Sequence, residues 1–133
     1  MKKPDKKFEV EVPVQVEFED VDAYRIVHHT KLIAYLERSR VRFFQKYNFD
    51  VISGKYSIVL HKLEIRFVHP AKFPDTLSVK VSLKSANQSR VQLSYRIQKN
   101  DILIAKASSE LACIDPDTQG ITIFPESLLE GFL

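Results

Sequence analysis

The chain has 133 residues, 44% of them hydrophobic, and a net charge of +3 from 20 Lys and Arg against 17 Asp and Glu. That length holds one domain and not comfortably two, and the apolar, Phe- and Tyr-containing composition excludes a disordered tail. Three isolated glycines, Gly54, Gly120 and Gly131, exclude clustered-glycine phosphate loops and dinucleotide fingerprints, and the lone Cys113 excludes an internal disulfide and Cys-based zinc sites within one chain.

Residues 1–7 carry four of the positive charges and read as a flexible basic tail ahead of a single domain over 8–133. No apolar run of signal-peptide length follows, and no stretch approaches the roughly 18 apolar residues that span a bilayer. The expectation is a cytoplasmic protein, with organelle import left open. A pI near 9.0 is the sole hint of nucleic-acid binding. The charges outside the tail are mixed in sign rather than gathered on one face, so no nucleic-acid partner is expected.

From Phe8 to Phe18 apolar residues stand at every second place, with Glu9, Glu11, Gln15 and Glu17 between them. Period two predicts a half-buried strand, and Pro13 on its polar side predicts an edge or a bulge. Asp20 to Thr30 has no period. From Lys31 the spacing of Leu32, Ile33, Leu36, Phe43, Phe44 and Tyr47 predicts a helix of about 17 residues, roughly 25 Å long. Thr30 is the expected cap and Asn48 the expected stop. Glu37 with Arg38 and Arg40 reads as a surface or interface ion-pair set.

Four further strands are predicted. They are 58–68, with Leu63, Ile65 and Phe67 alternating; 77–83; 91–97; and 102–114. Turns at Pro70 to Pro74, Ala86 to Ser89 and Lys99 to Asp101 separate them, and Asp115-Pro116-Asp117 ends the last. The small residues Ala105, Ala107 and Ser109 are expected to let a helix approach the sheet closely. One helical turn is expected over Glu126 to Leu129. The order strand, helix, four strands predicts an α+β fold, one long helix against a five-stranded antiparallel sheet. Such a sheet has an open edge, which pairing with a second subunit would cover.

The connection between the first strand and the helix concentrates reactive groups: Asp20, Asp22, His28, His29 and a helix N-terminus within eleven residues. Free N–H groups at a helix start stabilise developing negative charge. A carboxylate just before it can act as base or nucleophile, and carbonyl chemistry through an oxyanion would use both parts. The same spacing also suits a simple turn and cap. His61 and His69 read as satisfied or exposed histidines, and Cys113, in an alternating strand, as core.

Residues 18–29, FEDVDAYRIVHH, followed by Tyr35-Leu-Glu37-Arg38-Ser-Arg40, Arg66 to Lys72 with Asp75, Gln92 to Arg96, Cys113 to Pro116 and Phe124-Pro125, resemble the 4-hydroxybenzoyl-CoA thioesterase family. Its members are hotdog-fold acyl-CoA thioesterases, and the subgroup associated with the bacterial Tol-Pal system is especially similar. The resemblance implies the hotdog fold, a long central helix wrapped by the sheet. It implies hydrolysis of an acyl-CoA or acyl-carrier-protein thioester, with no metal or redox cofactor. The second aspartate of the family's Asp-x-Asp falls at Asp22, as nucleophile or as base for water. The oxyanion donor, a backbone N–H at the helix start, falls at His29, whose imidazole also matches the closer subgroup. His28 falls where the acyl site is lined. Active sites between the subunits of a homodimer, paired into a tetramer, are also implied.

Two departures from the family pattern stand out. Arg25 occupies the place of a usual glycine, where φ > 0 or close backbone approach is expected. It is expected to strain the turn, reshape the acyl pocket or reach an anionic substrate. The basic cluster that grips CoA phosphates is thinned to Lys84 and Arg90 around Ser85 to Ser89, with Ser89 kept as a substrate contact. That thinning makes a carrier-protein donor more credible. The alternative is a non-catalytic hotdog module that binds acyl thioesters or a protein partner.

Overall fold

The computed structural model describes residues 8–47 and 56–132. The basic tail, Asn48 and Gly54 lie outside them. A first strand, β1 (Glu9–Gln15), leads through a short 3-10 helix (Phe18–Asp20) and a turn into the long helix α1 (His29–Lys46). Then come β2 (Ser57–Phe67), β3 (Thr76–Ala86), β4 (Val91–Lys99), β5 (Ile102–Ile114), a two-residue β6 (Ile121–Thr122) and α2 (Glu126–Phe132).

All strands belong to one antiparallel sheet of order β1-β3-β4-β5-β2, with β6 paired to β5. The fold is the α+β hotdog arrangement expected, with β6 as a sixth strand. A two-residue strand is too short to show an alternation, which is why periodicity does not reveal it. Pro13 stands on edge strand β1, opposite Ser78, where its missing N–H costs no ladder bond. The C-terminal helix runs seven residues instead of one turn.

One face of α1 buries Leu32, Tyr35, Leu36, Phe43 and Phe44 against the sheet. Its far end is pinned to β1: the Tyr47 hydroxyl accepts from the Glu9 N–H at 2.9 Å, and its ring meets Phe8 edge-on at 5.0 Å. The helix begins earlier than Thr30 predicts. The Val27 N–H is held by the Ala71 carbonyl at 2.8 Å and the His28 N–H by the Asp20 carbonyl at 2.9 Å. His28 is therefore the N-cap, and its carbonyl takes the Lys31 and Leu32 N–H groups at 2.9 and 3.2 Å.

The small residues of β5 serve a different purpose from the one expected. The backbone of α1 comes nearest to β1 and β3 instead. Ala107 pairs with Tyr95 and Ala105 with Ile97, and all four are buried, so the small side chains make room for large cross-strand neighbours. The Tyr95 hydroxyl is satisfied by Ser109 Oγ at 2.7 Å. At the other edge, β2 keeps its alternation but little of its burial: Leu63 and Ile65 are half-buried and Phe67 is 48% exposed. An edge strand has a neighbour on one side only.

Candidate functional site

The turn that carries Asp22 is closed by its own backbone and by the segment that follows β2. The Asp22 N–H donates to the Ile26 carbonyl and the Arg25 N–H to the Asp22 carbonyl, each at 2.9 Å. Asp22 Oδ1 accepts from the Tyr24 N–H at 2.8 Å and the Ile26 N–H at 3.2 Å. Ile26 pairs with Lys72, which joins the turn to the chain after β2. Asp22 is half-buried, with Oδ1 engaged and Oδ2 without a partner among the described residues.

Arg25 adopts φ 65°, the left-handed region, which is one of the two possibilities that the missing glycine leaves open. An L side chain there costs on the order of 1–2 kcal/mol. The turn tolerates it because three short hydrogen bonds fix the backbone around it. The side chain of Arg25 is exposed and does not line the cavity described next.

A cavity of about 380 Å³ is lined by the turn, the start of α1 and residues 67–71. Its polar lining is Asp22, His28, His29 and His69; its apolar lining includes Ile26, Leu32, Phe67 and Ala71. The size falls in the range of small-ligand sites. The N–H groups of His29 and Thr30, at the first turn of α1, have no acceptor among the described residues. They are the positive end of an 18-residue helix. The His29 ring meets Phe67 edge-on at 6.2 Å. The structure thus brings Asp22, His28 and His29 to one cavity. Asp22 and the three imidazoles do not converge as ligands: among the described residues no group of three His, Cys, Asp or Glu is placed to hold a metal ion.

Asp20 is set apart from this cavity. It is buried at 8% exposure, its Oδ2 accepting from the Tyr35 hydroxyl at 2.6 Å and from the Glu17 N–H at 3.0 Å. Burial alone would raise its pKa, but the Tyr35 and Glu17 hydrogen bonds, with Lys31 and Arg38 nearby, hold it below the ordinary carboxylate value. Of the two carboxylates in Asp-x-Asp, the first is a structural tie and the second faces the cavity.

Lys84, Ser89 and Arg90 stand elsewhere. Lys84 lines a separate groove of about 190 Å³ with Lys62, Glu64, Gln92 and Glu110. Ser89 and Arg90 sit in the β3–β4 hairpin, where both N–H groups donate to Asn87 Oδ1 at 2.8 Å. None of the three lines the Asp22 cavity of its own chain. Cys113 is fully buried, with burial pushing its thiol pKa up, as a core cysteine. His61 is exposed, 3.9 Å from Glu110.

His69 is the site residue that the sequence reading sets aside. It follows β2 in an irregular stretch, where neither periodicity nor spacing marks it, and only the register of β2 on β5 brings it to the cavity. The resemblance includes residues 66–72, and alternation places Phe67 on a strand, but neither assigns this stretch to the site.

Residues 16–132 match the family model described as the thioesterase-like superfamily. "Acyl-CoA thioesterase YbgC" of Haemophilus influenzae is 26% identical over 124 residues, covering 90% of this chain and 91% of that protein. A probable thioesterase from Bartonella henselae has a similar structure, with a TM-score of 0.82 at 22% identity over 88% of this chain and 99% of that one. A hypothetical protein from Aquifex aeolicus reaches a TM-score of 0.86 at 24% identity, over 93% and 99%. The structural likenesses establish the fold.

Proposed function

Since this chain belongs to the thioesterase-like superfamily, we propose that it is a thioester hydrolase, cleaving an acyl-CoA or acyl-carrier-protein thioester to free acid and thiol. The acyl-CoA thioesterase named among its relatives supports the class of substrate. The resemblance of residues 18–29 to the 4-hydroxybenzoyl-CoA thioesterases, and to their Tol-Pal-associated subgroup, supports the same reading. The observation that carries it is local: one cavity is lined by Asp22, whose Oδ2 has no partner among the described residues, and by His29, whose N–H at the start of α1 has no acceptor among them.

In this reading the thioester carbonyl oxygen lies at the His29 and Thr30 N–H groups. Asp22 Oδ2 takes a proton from water, whose oxygen bonds to the carbonyl carbon, or attacks that carbon itself. Negative charge then develops on the carbonyl oxygen, where the helix N-terminus stabilises it. The C–S bond breaks with its electron pair on sulfur as the carbonyl reforms, and the thiolate takes up a proton; in the attacking route this leaves an acyl–Asp22 anhydride, which water then hydrolyses to the free acid and Asp22. Tying Oδ1 to two backbone N–H groups fixes the carboxylate's orientation, which is what a positioned base or nucleophile requires. His28 lines the acyl side. Arg25, at the exposed edge of the turn, reaches an anionic group of the substrate.

Lys84, Ser89 and Arg90 act on the phosphates of a thioester donor bound to a second copy of the chain. The bare edge of β2, with Leu60, Phe67 and Val68 exposed near it, supports a homodimer, and the dimer pairs again into a tetramer. The test is hydrolysis of a panel of acyl-CoA and acyl-carrier substrates by the pure protein, by Asp22→Asn and by Asp22→Ala. Losses of at least about 10²-fold in kcat are expected for both variants. Wild-type-like rates in both would remove Asp22 from the chemistry. Retention of acyl-CoA without turnover by the wild type would favour a binding module, a reading that Arg25 in place of glycine also motivates.

A further inference from the structure

We infer that His69 is a second acid–base group of this site, the one that hands a proton to the departing sulfur. The inference rests on the hydrolase reading above. Three imidazoles line the cavity, His28, His29 and His69, and they differ in how they are held. His28 and His29 have no ring hydrogen bond among the described residues; the His29 ring has only an edge contact with Phe67. His69 is anchored twice to the same strand. Its backbone N–H donates to the Ile104 carbonyl at 3.2 Å, and its ring Nδ1 lies 2.9 Å from the Leu103 carbonyl.

A carbonyl can only accept, so Nδ1 carries the hydrogen and the tautomer is fixed. Nε2 is then the nitrogen that takes up and releases protons. This pairing of a fixed Nδ1–H with a free Nε2 is how an imidazole is oriented for proton transfer. The segment around it is also fixed. Pro70 restricts the residue before it to extended backbone, and the Ala71 carbonyl holds the Val27 N–H at 2.8 Å. His69 and Asp22 are therefore carried by two segments stitched together, and both line one cavity.

The other groups of the cavity leave this role to His69. Asp22 and the His29 N–H, which has no acceptor among the described residues, serve the incoming oxygen and the oxyanion. The departing sulfur then needs a proton, and of the three imidazoles that line the cavity His69 is the one whose ring is held by a hydrogen bond among the described residues. The step balances. Asp22 takes one proton from water as the C–O bond forms. His69 enters the step as the imidazolium, with a second hydrogen on Nε2; the C–S bond breaks with its electron pair on sulfur, and the Nε2 proton passes to that sulfur to give the thiol. Asp22 ends protonated and His69 neutral. His69 is exposed, so solvent carries the proton back from one to the other.

The test uses two thioesters of one acyl group, the CoA ester and the ester of thiophenol, whose weakly basic thiolate leaves without a proton. Wild type, His69→Gln and His69→Ala are compared on both, with thermal unfolding to verify folding. The expected result is a loss of about 10²-fold in kcat on the CoA ester and less than about threefold on the thiophenol ester, in both variants. Equal losses on the two esters, or none on the CoA ester, overturn the assignment while leaving the hydrolase reading intact. A wild-type protein that hydrolyses neither ester overturns the hydrolase reading and this assignment with it.

Discussion

The hydroxyl of Tyr35 donates to Oδ2 of Asp20 at 2.6 Å, and both residues are buried. This bond joins the second turn of α1 to the end of the 3-10 helix that precedes the Asp22 turn. Asp20 gathers other ties as well: Oδ2 accepts from the Glu17 N–H, Lys31 Nζ lies 3.8 Å from Oδ1, and the Asp20 carbonyl holds the His28 N–H. The start of the turn, its end and the helix are thus fastened to one residue, two places before Asp22. Tyr35→Phe keeps the ring and removes the donor. We expect it to lower the unfolding free energy by about 1.5–3 kcal/mol, the range for a hydrogen bond to a charged group, measured by urea denaturation.

The pH dependence follows from the same pair. Burial raises the Asp20 pKa, but its hydrogen bonds to Tyr35 and Glu17 and the charges of Lys31 and Arg38 outweigh that and bring it below the ordinary 3.8. For Asp75 too, burial is outweighed, here by the Lys99 and Lys72 contacts, with Lys99 Nζ at 2.8 Å. A carboxylate with a depressed folded-state pKa contributes stability above the unfolded value, and loses it as pH falls through the folded one. Wild-type stability should therefore fall as pH drops below the ordinary 3.8, and the gap to Tyr35→Phe should narrow as it does, because a protonated Asp20 accepts only a neutral hydrogen bond. A gap that stays constant from pH 6 to pH 2 would contradict an ionised Asp20 partner.

Arg25 at φ 65° makes a backbone prediction. Glycine occupies the left-handed region freely but gains freedom in the unfolded chain, so relief and entropy nearly offset. Arg25→Gly should lie within about 1 kcal/mol of wild type. Arg25→Val, β-branched and a poor fit to positive φ, should be at least about 1 kcal/mol less stable. Thermal unfolding of the two variants side by side decides it, and equal melting temperatures would mean the turn conformation is not retained in solution.

Ala107 offers a packing prediction. It is buried between Tyr95 on β4 and Ile65 on β2. Ala107→Leu overfills that space and should cost about 1–3 kcal/mol, while Ser108→Leu, its neighbour on the opposite face of β5, should change stability by less. Comparable losses in urea denaturation would mean that the two faces of β5 are not distinguished as described.

Lys84 and Arg90 separate the two thioester donors. If they contact the nucleotide phosphates of CoA, charge reversal to Glu at both should raise KM for an acyl-CoA by about tenfold or more, equivalent to 1.4 kcal/mol. KM for the matching acyl-pantetheine, which has no nucleotide, should not move. Parallel rises for both substrates would place these residues outside phosphate recognition.

Much of the fold is legible in the chain because alternation and helical spacing are local. Each strand of more than two residues and the face of α1 are fixed by which side chains must leave water. The same holds for Asp22 and the helix start: two carboxylates, two histidines and the end of a periodic segment lie within eleven residues. The glycine that Arg25 replaces in the family pattern leaves φ > 0 and close backbone approach both open, and the structure selects the first. What sequence spacing does not carry is distance across the sheet. His69 is 47 positions from Asp22 and shares its cavity only because β2 pairs with β5 and the chain beyond it is bonded back to Val27. The division of labour between Asp20 and Asp22, which the resemblance implies, has a tertiary cause. Two identical carboxylates, two residues apart, differ because Tyr35 folds over one and a cavity opens beside the other.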